Sequence, residues 1–274
     1  MSTLTVGFDF SKGSVYALNL AIDVANRCEY DIKVVWVEDP KESKKENKED
    51  ILKKLEETIT EYQPKLKQTK LSFVARKGKV FNEIVLQSKE DKTEMIIIGA
   101  HGKSGYNKKK IGSSAFGIVE NAPCPVLIIR EDFNFDKKLE RILLPLDSSE
   151  ATRQKVPYAA NMANIFGSKI CLLGIYTSKM VEMKKLVNRF VKQSEDFLKK
   201  EQVPYSTEFV SADNITTATL EYGQSIQADL IIIMTEQERA LTNIFKGSYS
   251  SQMVNTSPIP VLSIHPEEIN AVAK

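Results

Sequence analysis

The sequence predicts an α/β protein made of two tandem open-sheet domains, each a five-stranded parallel sheet flanked by helices, packed against one another as a pseudo-twofold pair. Three observations predict this. First, Gly112-Ser113, a short helical stretch, Pro123-Cys124-Pro125 and the run Val126 to Ile129 return as Gly247-Ser248, Pro258-Ile259-Pro260 and Val261 to Ile264. Second, within each copy short continuous apolar runs alternate with longer stretches of helical period, as buried parallel strands linked by crossover helices do. Third, 274 residues with 42% hydrophobic and 27% charged side chains give room for two ordinary cores rather than one.

The elements follow in order. Val6 to Asp9 aligns with Leu143 to Asp147 as the first strand, and each is followed by a helix with one apolar face: Val15, Leu18, Ile22 and Ala25, then Val156, Ala160 and Ala163. Strand two is Ile32 to Val37 and Lys169 to Ile175. The charge-dense stretch from Lys41 to Glu57 carries Ile51, Leu52, Leu55, Ile59 and Tyr62 at helical spacing, so it reads as a solvated amphipathic helix, matched by Val187, Phe190, Val191 and Leu198. Strand three is Leu71 to Arg76 and Tyr205 to Val210, followed by helices over Val80 to Lys89 and Asn214 to Gln227. Strand four is Ile96 to Gly99 and Ile231 to Met234. The register between copies changes from 138 residues at the first strand to 135 at the last, a loop change in the middle of the second copy. Polar residues from Asp132 to Lys138 mark the boundary, giving domains 1–134 and 138–274.

Composition removes several function classes. A net charge of +2 is no electrostatic footprint for nucleic acid. No apolar run approaches the roughly 20 residues needed to span a bilayer, and Met1 leads directly into a strand, so the expectation is a cytoplasmic protein with no membrane partner. Cys28, Cys124 and Cys171 lack metal-ligand or disulfide spacing and read as buried small hydrophobes. No metal site and no catalytic triad, zinc-protease pair or nucleophile elbow is expected.

The chemistry concentrates where the copies differ. The first copy reads Gly99-Ala100-His101-Gly102, then nine residues, then Gly112-Ser113-Ser114, where the second has Met234-Thr235-Glu236-Gln237. Residues without Cβ let a backbone approach an anion, and a helix opening at Gly112 offers unpaired amides and a favourable dipole. Ligands of open parallel sheets sit beyond the carboxyl ends of strands, where Asp9, Val37 and Gly99 lie. The spacing is neither a Walker A loop nor G-x-G-x-x-G. On residues alone, a tight turn followed by a helix cap accounts for the glycines as well.

Asp9 after the first strand, Gly99-x-x-Gly102-x9-Gly112-Ser113, and Ala122-Pro123-Cys124-Pro125-Val126-Leu127 together resemble the universal stress protein family in its tandem two-domain form, over essentially the whole chain. The resemblance implies strand order 3-2-1-4-5, pairing of domains through their fifth strands and, in one subgroup, ATP binding. It puts Gly99, Gly102, Gly112, Ser113 and Ser114 around phosphates and ribose, with Asp9 and Val37 at the adenosine end; Mg2+ is a further expected companion of the nucleotide. The expectation is an ATP-binding stress or signalling protein whose first domain holds nucleotide and whose second, with Met234 and Gln237 in place of glycines, is structural or regulatory. The alternatives are a nucleotide-independent protein-interaction module and a nucleotide-processing enzyme; Asp9 alone supports at most slow hydrolysis. Besides ATP, the expected partners are the other domain, an unidentified protein and, where two chains associate, a second copy.

Four further features have simpler readings. His101 reads as a solvent-facing loop residue, and His265 has no partner visible in sequence. Lys103, Lys108, Lys109 and Lys110 either form a solvated basic loop or neutralise triphosphate. Trp36 reads as core packing rather than a stacking platform.

Overall fold

The computed structural model describes residues 2–40, 47–102, 111–130, 139–235 and 248–266. The chain divides into two compact units, Met1–Asp132 and Phe133–Lys274. Residues 41–46 of the charge-dense stretch, the lysine-rich loop, Glu236, Gln237, Gly247 and the interdomain boundary 132–138 lie outside the described residues.

In the first unit, β1 (Thr3–Gly7), β2 (Asp31–Glu38), β3 (Leu71–Lys77), β4 (Met95–Gly99) and β5 (Val126–Ile129) form a parallel sheet of order β3-β2-β1-β4-β5. The helices are α1 (Lys12–Cys28), α2 (Lys48–Tyr62), α3 (Val80–Glu90) and α4 (Ser113–Asn121). In the second unit, β6 (Arg141–Leu146), β7 (Lys169–Tyr176), β8 (Tyr205–Ser211), β9 (Leu230–Met234) and β10 (Val261–Ile264) repeat that order as β8-β7-β6-β9-β10. Its helices are α5 (Val156–Phe166), α6 (Val181–Lys200), α7 (Ile215–Ser225) and α8 (Tyr249–Thr256), with a 3-10 turn at Glu150–Arg153 before α5.

The central strands are covered on both faces. Leu4, Val6, Ile32, Val34, Ile96 and Ile97 are fully buried in one unit, as are Ile142, Leu143, Ile170, Leu172, Ile231 and Ile232 in the other. Each such side chain contributes about 1.5 to 3 kcal/mol by leaving water. Right-handed crossovers put α1 and α2 on one face of the first sheet and α3 and α4 on the other, and α3 does pack against α4. Strand order reverses between β1 and β4, so the loops leaving them flank one crevice.

The amphipathic helix read through the charge-dense stretch is α2, which buries Ile51, Leu55 and Tyr62 and leaves Leu52 and Ile59 half-buried. The register change falls between the second and third strands: the connection spans 39–70 in one unit and 177–204 in the other, four residues shorter, and one residue is regained before α7. Two expectations need correction. Trp36 is half-buried because the β1 ladder ends at the Gly7–Val35 pair, leaving Trp36 only β3 as a strand neighbour. Cys28 ends α1 and is half-buried, whereas Cys124 and Cys171 are buried as expected.

Candidate functional site

Asp9 stands two residues beyond β1 and is held by its neighbours. The Ser11 amide donates to Asp9 Oδ1 at 3.0 Å, and the Asp9 amide donates to Ser14 Oγ at 3.3 Å. Ser11 in turn caps α1, its hydroxyl accepting from the Ser14 amide at 3.2 Å. Between them Phe10 takes the left-handed conformation, with φ 63°, and its ring meets Phe8 edge-on at 5.1 Å. For a residue bearing Cβ this conformation costs about 1 to 2 kcal/mol, a local strain held by the packed strand and the capped helix on either side.

The glycines do different things. Gly99 closes β4 against the start of α1: a Cβ there would lie 2.8 Å from the Gly13 carbonyl carbon, so packing within the protein requires this glycine. Gly102 lies against Asp9, where a Cβ would come within 2.7 Å of Oδ2. This juxtaposition brings the loops after β1 and β4 together at the reversal of strand order. Gly112 has ordinary extended dihedrals, φ −63° and ψ 147°, and a Cβ would meet nothing nearer than the Ala100 carbonyl at 3.6 Å. Its own conformation therefore does not require glycine.

The Gly112 amide donates to the Ala100 carbonyl at 2.9 Å, and the Ala100 amide donates to Ile129 at 2.7 Å, so the loop returns α4 to the end of β4. Among the described residues no side chain caps α4. Ser113 is exposed and Ser114 half-buried in its first turn, where amides lack intrahelical acceptors. Val37, near the end of β2 and paired with Arg76, is half-buried, and so is His101.

The second unit repeats the frame and changes the contents. The Ser149 amide donates to Asp147 Oδ1 at 3.0 Å and the Asp147 amide to Thr152 Oγ1 at 3.2 Å, reproducing the bonds around Asp9 at a register of 138 residues. The Thr235 amide donates to Ile264 at 2.7 Å, as Ala100 does to Ile129. Met234, however, fills the place of Gly99, and α8 is capped by Ser248, whose hydroxyl accepts from the Ser251 amide at 3.2 Å. Its first turn is thus partly satisfied within the protein.

Sequence reasoning missed Lys155, which sits beneath Asp147 and is buried. Its Nζ donates to Thr152 Oγ1 at 3.3 Å. Burial pushes its pKa down from 10.5 to about 8, with Asp147 opposing the shift. A signal for it existed: at the 138-residue register Lys155 falls on Ala17, on the buried face of α1.

Among the described residues no group of three His, Cys, Asp or Glu side chains could hold a metal ion, and no helix is long and apolar enough to cross a membrane.

Comparison with known proteins places this geometry. The family model for the universal stress protein family matches residues 1–130 and again 138–265. A universal stress protein of Methanocaldococcus jannaschii, MJ0531, is 27% identical over 143 residues, covering 47% of this chain and 81% of that protein. Among solved structures, a universal stress protein from Archaeoglobus fulgidus superposes with a TM-score of 0.76 at 19% identity, covering 96% of both chains. A Pseudomonas aeruginosa protein described as functionally unknown, PA1789, gives 0.72 at 15% identity, covering 99% of this chain and 95% of that one. These likenesses carry the fold; the two family matches, each spanning one unit, carry the membership, and the chain belongs to the universal stress protein family.

Proposed function

We propose that the first domain binds ATP in the crevice between the loops that follow β1 and β4, and that the protein acts in stress or signalling as a nucleotide-dependent binding protein. The observation that carries this reading is the apposition of Gly102 to Asp9 at the reversal of strand order, together with a helix α4 that no side chain caps among the described residues. Gly102, Gly112, Ser113 and Ser114 line the phosphate and ribose end, Asp9 and Val37 the adenosine end. Gly99 seats β4 on α1, so the loop begins at the crevice floor. Amides at a helix start and a Cβ-free approach are what a triphosphate needs.

The residues fit a nucleotide better than they fit a resident metal. Asp9 already spends Oδ1 on the Ser11 amide, so Mg2+ would arrive on the phosphates rather than in a protein cage. The second domain lacks the glycine approach and caps its helix, so nucleotide binding belongs to the first domain.

Calorimetric titration with Mg-ATP tests this. Gly112→Val is the informative variant, because the residue's dihedrals and surroundings admit a side chain without refolding. The reading expects saturable binding that Gly112→Val abolishes and Lys155→Met leaves intact. A protein that ignores millimolar Mg-ATP in both calorimetry and thermal shift, yet captures a protein partner, belongs instead to the interaction-module class.

A further inference from the structure

The second domain contains a cavity of about 220 Å³ at the place that corresponds to the first domain's crevice. Its polar lining includes Asp147, Ser149, Thr152, Lys155 and Tyr249; Leu146, Ile215 and Met234 supply apolar walls. The frame around Asp147 matches that around Asp9, but where the first domain has the small Ala17, this one has a lysine.

The helix start beside the lysine differs between the two domains. In the first domain Ser11 caps α1, which begins at Lys12 and carries Ala17 in its second turn. In the second, a 3-10 turn over Glu150–Arg153 replaces the first helical turn, α5 begins only at Val156, and Lys155 stands at its N-cap position. Lys155 is 2% exposed. An ammonium carries three protons; one reaches Thr152 Oγ1, and no other acceptor is within hydrogen-bond reach among the described residues. Among the described residues Asp147 is not in ion-pair contact with it, and only Oδ1 of that carboxylate accepts hydrogen bonds, from the Ser149 amide and hydroxyl. A buried charge with two unsatisfied donors is costly unless something pairs with it.

We infer that this cavity is a second, separate binding site for a compact 2-hydroxy- or 2-amino-carboxylate, whose carboxylate pairs with Lys155 and whose hydroxyl or amino group donates to Asp147 Oδ2. A cavity of about 220 Å³ has room for an acid of three or four carbons. The charges support it too. A dianion would place its second negative group against Asp147, and a simple alkanoate would leave Oδ2 without a donor. The inference does not depend on ATP binding in the first domain.

Titration of the full chain with L-lactate, glycerate, L-alanine and L-serine, against propionate and inorganic phosphate, tests it. At least one hydroxy or amino acid should bind, at least about tenfold more tightly than propionate, as loss of a hydrogen bond to a charged group predicts. Lys155→Met should weaken that binding by about 50-fold or more, Asp147→Asn by about tenfold, and Gly112→Val should leave it unchanged. Ligand should also slow acylation of Lys155 by acetic anhydride, read by mass spectrometry. The inference is overturned by absence of binding at 20-fold above about 1 mM ligand, by binding that survives in a folded Lys155→Met protein, or by propionate or phosphate binding as tightly as the hydroxy and amino acids.

Discussion

Replacing Lys155 with methionine should stabilise the protein while removing a function. The lysine is buried, and its pKa falls from 10.5 to about 8 because burial penalises the charged form more than Asp147 rewards it. At 1.36 kcal/mol per unit, that depression corresponds to about 3 kcal/mol of destabilisation when the amine is protonated in both states. The sign follows from the protons. Below pH 8 folded and unfolded chains both carry the proton and the cost is complete; between pH 8 and 10.5 the unfolded chain holds more protons, so stability rises with pH; above 10.5 both are neutral and the cost is gone. Methionine matches the aliphatic volume and carries no charge, and Thr152 keeps its bond to the Asp147 amide. Lys155→Met should therefore gain about 3 kcal/mol at pH 7, or about 6 to 12 °C in the melting temperature of the second domain. Urea denaturation at pH 7 and pH 10 measures it. The wild type should become more stable across that interval relative to the variant, and a variant that is less stable at pH 7, or a pair whose difference does not change with pH, refutes the reasoning.

Gly99→Ala should destabilise the first domain by about 1 to 3 kcal/mol, because the new methyl meets the Gly13 backbone at 2.8 Å and rigid backbone cannot yield as a side chain would; denaturant midpoints check it. Ser11→Ala should cost about 1 kcal/mol in the same assay by uncapping α1, and, by loosening the turn that holds Asp9, should also weaken Mg-ATP binding. Glu29→Gly should stabilise by about 0.5 to 1 kcal/mol, since Glu29 ends α1 in the left-handed conformation at φ 57°; a loss of stability there would mean the Glu29 side chain contributes more than its backbone strain costs.

Much of the fold was legible because fully buried parallel strands are written as unbroken apolar runs. Val126–Ile129 and Val261–Ile264 start and stop where those runs do. The start of β1 is less legible, because Thr3 and Thr5 interrupt its apolar character; Thr5 is nonetheless buried, its hydroxyl satisfied by Thr93 Oγ1 at 2.7 Å. Strand order was out of reach of periodicity, which says nothing about neighbours, and entered through the family resemblance. The candidate site was legible as residue types near strand ends, but not as roles. Gly99 and Gly112 look alike in sequence, yet only the first is demanded by packing. Lys155 escaped because a charged residue next to an apolar helical face reads as solvated, although its counterpart at the 138-residue register, Ala17, is buried too.

The proposed ATP site lies in one domain, at the loop that joins Gly102 to Gly112. Calorimetry of Mg-ATP with wild type and Gly112→Val, both shown folded by circular dichroism, tests it most directly. Wild type should show one site per chain, and the variant should give no measurable heat. Equal binding by both proteins, or no binding by either, would contradict it.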